Sequence, residues 1–220
     1  MTRIKICGIT NVADAQAAIA FGADALGFIA VPSSPRYITP ETYAEIASAL
    51  PPFVSRVVVV QKIENADQYS PDYIQYYEES SDKSRLERNI QLIRSFRMRD
   101  TSSLEEIESF STPVAAYHLD TYHKDKLGGS GETFNWELAV EAVRRTNKPI
   151  MLAGGLTPEN IQDALSTVRP YAVDLSSGIE SSPGVKNIAR MREFIRKIRE
   201  WDLNLENEVP IIVPQLDTAT

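Results

Sequence analysis

The one cysteine of this chain closes the apolar opening run of KICGIT, residues 5 to 10, directly before a glycine. A free thiol has a pKa of about 8.5, so Cys7 can act as a base only where neighbouring N–H groups or a cation favour the thiolate. A lone cysteine beside a strand more often packs as a small hydrophobe. Its place at the end of the run rather than in the middle argues for the reactive reading. Asp120 ends a second apolar run, VAAYHLD. To donate a proton near neutral pH, its carboxyl must be lifted well above the usual value of about 3.9, by burial or by a nearby anion. A thiol and a carboxyl facing one another would be the base and the acid of a proton-transfer reaction. His118 shares the strand parity of Asp120 and reads as a buried, hydrogen-bonded histidine, whereas His123 lies in the charged stretch TYHKDK and reads as solvated.

Three glycine clusters accompany this pair. AGGL (Ala153 to Leu156) and DLSSGIE (Asp174 to Glu180) each allow backbone N–H donors to converge on an anion. Either alone reads equally well as a tight turn. Together, after two adjacent strands, they read as a phosphate seat completed by the N-terminal end of a short helix. The third, LGGSGETFNW (Leu127 to Trp136), is a candidate lid fastened by Phe134 and Trp136, although both aromatics could simply open a helix and pack. No spacing of His, Cys, Asp and Glu resembles a metal site.

The elements that must hold these residues follow from periodicity. Short β-branched runs alternate with helically spaced segments as far as about residue 200, the pattern of βα units. The expected strands are RIKIC, DALGFI, SRVVVV, DYIQYY, SFRMR, PVAAYHL, KPIMLA and PYAVDLS. Helices are expected between them, with Thr10 or Asn11, Thr39 (before Pro40) and Thr157 (before Pro158) as N-caps, and a last amphipathic helix over about Val185 to Glu200. Eight such units favour a single α/β domain, a closed (β/α)₈ TIM barrel over residues 1–201, followed by a short C-terminal extension, 202–220. The rival, an open doubly wound sheet, should carry GxGxxG after its first strand, and CGITNVAD is not one. In a barrel the residues just after each strand do the chemistry. Cys7, Arg36 of PSSPRY, Asp120 and the glycine loops all stand there.

The balance of 30 acidic against 23 basic residues, net charge -7, with no basic run interleaved with aromatics, makes nucleic acid and anionic membrane poor partners. No stretch approaches the ~18 apolar residues of a membrane span. One cysteine cannot form an internal disulfide, and MTRIKICG has no signal-peptide core, so a reducing cytoplasmic location is expected.

Taken together and in order, KICGIT, SPRYIT, HLDTYHKDKLGGSGETFNW, LAGGLTPENI and VDLSSGIESSPGVKN resemble the phosphoribosylanthranilate isomerase family of tryptophan biosynthesis, over about residues 3 to 198. The resemblance implies a cofactor-free (β/α)₈ barrel, monomeric or homodimeric, acting on a small phosphorylated substrate by an Amadori rearrangement. It implies Cys7 as general base, Asp120 as general acid, Arg36 as the holder of the anthranilate carboxylate, and Gly154, Gly155, Ser177 and Gly178 at the phosphate. Gln75, Tyr77, Gly129 and Asp174 are candidate pocket-wall residues. The chain departs from the family pattern in four places. It has QYYE (Gln75 to Glu78) for QLHG, VVVVQK for VGVFVN, TFNW for TFDW, and Asn187 where an acid is usual. Two alternatives stand beside the isomerase: a diverged paralogue that binds a phosphorylated ligand without turnover, and the related aminoaldose isomerase of histidine biosynthesis, whose paired aspartates Cys7 argues against.

Overall fold

The structure is a computed structural model that describes residues 1–78, 90–122 and 133–208, with side chains through Leu205. Eight strands, β1 (Arg3–Cys7), β2 (Ala25–Ile29), β3 (Ser55–Val60), β4 (Tyr73–Tyr76), β5 (Gln91–Met98), β6 (Ala116–Thr121), β7 (Ile150–Leu152) and β8 (Ala172–Leu175), form a closed barrel in sequence order. Every pairing is parallel, and β8 returns to β1 with Lys5 opposite Asp174. The helices are α1 (Val12–Phe21), α2 (Pro40–Ser48), α3 (Ser102–Ser109), α4 (Trp136–Arg145), α5 (Ile161–Val168) and α6 (Ile188–Glu208).

Alternation along each strand sorts its side chains between two cores. Outward residues such as Ile4, Ile6, Leu26, Phe28, Val58 and Val60 are buried with the apolar faces of the helices. Each contributes roughly 1.5–3 kcal/mol relative to an exposed position. Inward residues Val57, Ile93, Ala116, Met151 and Ala172, with Ala25 and Tyr73 against them, make a separate apolar floor inside the barrel. The buried polar inward residues Lys5, Gln75, Ser95, His118 and Asp174 stand above it.

Local signals explain the helix starts. Asn11 accepts the Asp14 N–H at 2.8 Å and Gly22 ends α1, while Thr39 accepts the Thr42 N–H at 3.3 Å ahead of Pro40. The Thr157 carbonyl accepts the N–H groups of Asn160 and Ile161, but a looser turn intervenes and regular helix begins only at Ile161. After β3 the expected helix shrinks to a single 3₁₀ turn, Ile63–Ala66. Only Ile63 and Ala66 of that turn are buried before the polar residues Asp67 and Gln68, too little apolar face for a longer helix.

The last unit departs most from expectation. Val185 does not begin a helix: Glu180–Ser182 (β9) and Val185–Lys186 (β10) form an antiparallel hairpin that turns at Gly184, φ 83°. The helix expected to stop near Glu200 continues to Glu208. Asp202 explains the extra length, because its buried carboxylate accepts the Thr2 N–H at 2.9 Å and the Thr2 hydroxyl at 2.8 Å, tying α6 to the start of β1. Among the described residues, no helix is long and apolar enough to cross a membrane and no His, Cys, Asp and Glu cluster is placed to hold a metal.

Candidate active site

Directly above the apolar floor lies a layer of inward polar side chains: Lys5 of β1, Gln75 of β4, Ser95 of β5, His118 of β6 and Asp174 of β8, all buried. Lys5 Nζ donates to Asp174 Oδ2 at 2.9 Å, and His118 Nε2 stands 3.0 Å from the same oxygen. A carboxylate only accepts, so Nε2 carries the ring proton and Nδ1 is left to accept from Ser95 Oγ at 3.1 Å and Gln75 Nε2 at 3.3 Å. His118 is thus a satisfied buried imidazole, as its parity suggested. Burial pushes the Asp174 carboxyl up, but Lys5 and His118 outweigh it and hold the group down at about 2. Burial likewise pulls the Lys5 ammonium down, and Asp174 and Cys7 reverse the balance to leave it raised.

One level higher, β1 presents Cys7 and β6 presents Asp120, each buried yet lining one cavity of about 740 Å³. The Lys5 stem and the Cys7 sulfur share the space beside Gly27, where a Cβ would stand 3.0 Å from Lys5 Cε and 2.7 Å from Cys7 Sγ. Burial raises the thiol above its ordinary value, while the ammonium groups of Lys5 and Lys186 pull it back. Asp120 is raised too, by burial first, against the pull of His118 and of two hydrogen bonds. Its Oδ1 accepts the Thr121 N–H at 2.8 Å, and its Oδ2 accepts the Tyr77 hydroxyl at 3.3 Å.

The glycine loops close the other side of the cavity, which Gly154, Gly155 and Ser177 line. No acceptor among the described residues engages the Gly154 or Gly155 N–H. Gly154 is left-handed, φ 83°, and a Cβ there would collide with Thr121; a Cβ on Gly178 would collide with the Leu156 carbonyl. Gly178 therefore lies behind the cavity wall, serving the close approach of the two loops. The short helix expected beside them is a 3₁₀ turn, Ser177–Ile179.

Arg36 is buried at the rim, and its guanidinium is already paired. Nε donates to Glu180 Oε1 at 2.9 Å and Nη2 to Oε2 at 2.7 Å. Lys186 Nζ braces the same carboxylate at 2.8 Å and also donates to the Cys7 carbonyl at 2.6 Å. Glu180 takes the side-on fork of the guanidinium, which leaves the end-on edge, Nη1 with the second Nη2 hydrogen, for a carboxylate in the cavity. Gln75, Tyr77 and Asp174 line the cavity as expected, and two buried acceptors there, Gln75 Oε1 and Asp174 Oδ1, have no partner among the described residues. Gly129 and His123, with residues 127–132 of the candidate lid, lie outside the described residues; of the two aromatics expected to fasten it, Phe134 is buried in the outer core and Trp136 opens α4 and packs against that core.

A family profile described as N-(5'-phosphoribosyl)anthranilate isomerase matches residues 4–197. The chain belongs to the N-(5'-phosphoribosyl)anthranilate isomerase family. Its relative from Geotalea uraniireducens, which carries that name, is 45% identical over 205 residues, covering 90% of this chain and 99% of the relative. The phosphoribosyl anthranilate isomerase of Thermotoga maritima superposes with a TM-score of 0.80 at 35% identity, over 91% of this chain and all (100%) of that one. A third member, solved in complex with reduced 1-(o-carboxyphenylamino)-1-deoxyribulose 5-phosphate, superposes with a TM-score of 0.75 at 31% identity, over 91% and 100% of the two chains.

Sequence reasoning missed three residues of this isomerase-family site: Lys5, Glu180 and Arg97, which lines the cavity from β5. Lys5 could have been found, since a lysine two positions before Cys7 on a central strand must point into the barrel. Nothing local marks Glu180 as the partner of Arg36, to which the hairpin alone brings it.

Proposed function

We propose that this chain converts N-(5'-phosphoribosyl)anthranilate into 1-(2-carboxyphenylamino)-1-deoxyribulose 5-phosphate, an Amadori rearrangement in tryptophan biosynthesis. Asp120 protonates the ribose ring oxygen as the C1'–O bond breaks, and the lone pair of the anthranilate nitrogen forms the iminium. The Cys7 thiolate then takes the proton from C2'. That C–H electron pair becomes the C1'=C2' double bond, discharging the iminium to an enolamine. Tautomerisation to the ketone returns a proton to C1', so the exchange of oxidation level is internal to the sugar. The phosphate faces the Gly154, Gly155 and Ser177 loops, the carboxylate takes the end-on edge of Arg36, and Gln75 Oε1 and Asp174 Oδ1 accept from sugar hydroxyls. A reducing cytoplasm keeps the Cys7 thiol free.

The observation that carries this reading is the single cavity into which thiol, carboxyl and both glycine loops open. Its volume falls within the ~300–1,000 Å³ of small-molecule sites. Cys7 remains the weaker acid of the pair, because Asp120 accepts hydrogen bonds that favour its anion. The productive form, thiolate with protonated carboxyl, is therefore the minor arrangement of one shared proton. The acid limb of kcat/KM then marks Asp120 and the alkaline limb marks Cys7.

Freshly made phosphoribosylanthranilate loses its fluorescence on turnover, which gives the assay. Wild-type protein turns it over, and Cys7→Ser and Asp120→Asn each lower kcat by ~10²–10⁴-fold while still binding the reduced product analogue. The gene restores growth to a tryptophan auxotroph lacking the isomerase. Wild-type protein that leaves the fluorescence unchanged would end this reading.

A further inference from the structure

Tyr77 stands just past the end of β4, held twice at its backbone and once at its ring. Its N–H donates to the Gln61 carbonyl at 3.2 Å, and its own carbonyl accepts from the Arg94 guanidinium. The Arg97 guanidinium carbon sits 5.3 Å from the centre of its ring. Arg97 is the register partner of Asp120 across β5 and β6, so the clamped ring directs its hydroxyl at the carboxyl, 3.3 Å from Oδ2. Burial and the Asp120 carboxylate hold the phenol well above its ordinary pKa, so it stays a donor throughout the working pH range.

We infer that Tyr77 is a positioning residue whose hydroxyl orients the Asp120 carboxyl and steadies it as it gives up its proton. The inference rests on the isomerase reading for the direction of that transfer. Oδ1 is engaged by the Thr121 N–H, so the transferable proton belongs on Oδ2, the oxygen that Tyr77 reaches. As the proton moves to the sugar, negative charge grows on Oδ2 and the Tyr77 hydrogen bond strengthens with it. A bond stronger in the transition state than in the ground state accelerates the step. The replacement of the family's usual histidine thus keeps a donor at this position.

The titratable and charged groups that share the cavity with Asp120 are Tyr77 and Glu78 after β4, Arg97 from β5, His118 from β6, Cys7 from β1, Arg36 after β2 and Asp174 from β8. Of these, Tyr77 is the one hydrogen-bonded to Oδ2. Its bond favours the ionised carboxyl, so its removal raises the pKa of Asp120 and moves the acid limb to higher pH.

Tyr77→Phe keeps the ring under Arg97 and deletes only the hydroxyl. The expected result is a kcat about 10-fold lower with KM within about 2-fold, near the worth of one hydrogen bond to a charged group. The acid limb of kcat/KM moves up, and Tyr77→His, which restores a donor, recovers part of the lost kcat. Independently of activity, the Asp120 carboxyl carbon, assigned by carbon-13 NMR against Asp120→Asn, titrates at higher pH in Tyr77→Phe than in wild type. Should that variant fail to fold, difluorotyrosine placed at position 77 makes a stronger donor of nearly the same shape and moves the titration the other way. An Asp120 titration unchanged by either replacement, or one that moves while kcat does not, overturns the inference. A wild-type protein without turnover defeats the isomerase reading instead, and the titration still decides whether Tyr77 governs Asp120.

Discussion

Replacing Lys5 with methionine tests the polar layer on which the site stands. Lys5 and Asp174 pair at 2.9 Å with side chains 1% and 7% exposed, so Lys5→Met leaves a buried carboxylate whose remaining charged-form partner is the His118 N–H. Breaking a buried pair from one side costs about 3–5 kcal/mol, because the surviving charge stays desolvated. The pH dependence gives an internal check. Asp174 is depressed in the folded barrel to about 2 from an ordinary 3.8. Its contribution is therefore complete above the unfolded value and disappears as pH falls through the folded one. That contribution is about 2 kcal/mol at neutral pH, with about half gone at pH 3. Lys5→Met removes the depression, so the stability gap between wild type and variant, read from urea unfolding, is widest near pH 7 and narrows towards pH 3. The thiol responds as well: without the ammonium that pulls it down most, Cys7 titrates higher, and its alkylation by iodoacetamide at fixed pH slows. A gap under about 1 kcal/mol at pH 7, a gap that does not narrow in acid, or an unchanged alkylation profile would refute the argument.

Three further outcomes follow from the geometry. Arg36→Lys cannot hold Glu180 side-on and a carboxylate end-on at once, so KM for the anthranilate substrate rises at least ~10-fold with a smaller change in kcat, measured by steady-state fluorescence. Gly178→Ala drives a methyl group into the Leu156 carbonyl, and the loops must part; an unfolding midpoint lowered by the equivalent of ~1–3 kcal/mol and weaker inorganic phosphate binding are expected. Asp202→Ala strips the Thr2 N–H and hydroxyl of their acceptor, which lowers urea stability by about 2 kcal/mol and leaves kcat unchanged.

What the chain decides locally was legible before any coordinates. Period-2 and helical spacing marked all eight strands and most of the helices, because each βα unit buries its own apolar stripe. Short-range capping by Asn11 and Thr39 fixed where two helices start. Strand parity put His118 with Asp120 on the inward face, and the same rule, applied to β1, would have put Lys5 there with Cys7.

Tertiary structure decided the partners. Closure of the barrel sets Lys5 against Asp174, 169 positions away in sequence, and a hairpin unmarked by local spacing carries Glu180 to Arg36, 144 positions away. The same closure turns Tyr77, in sequence a departure from a family motif and a candidate wall residue, into the donor that faces Asp120. Periodicity records which face of an element seeks burial, whereas the charge and hydrogen-bond environment of a side chain depends on which distant strand closes over it, and no local pattern encodes that.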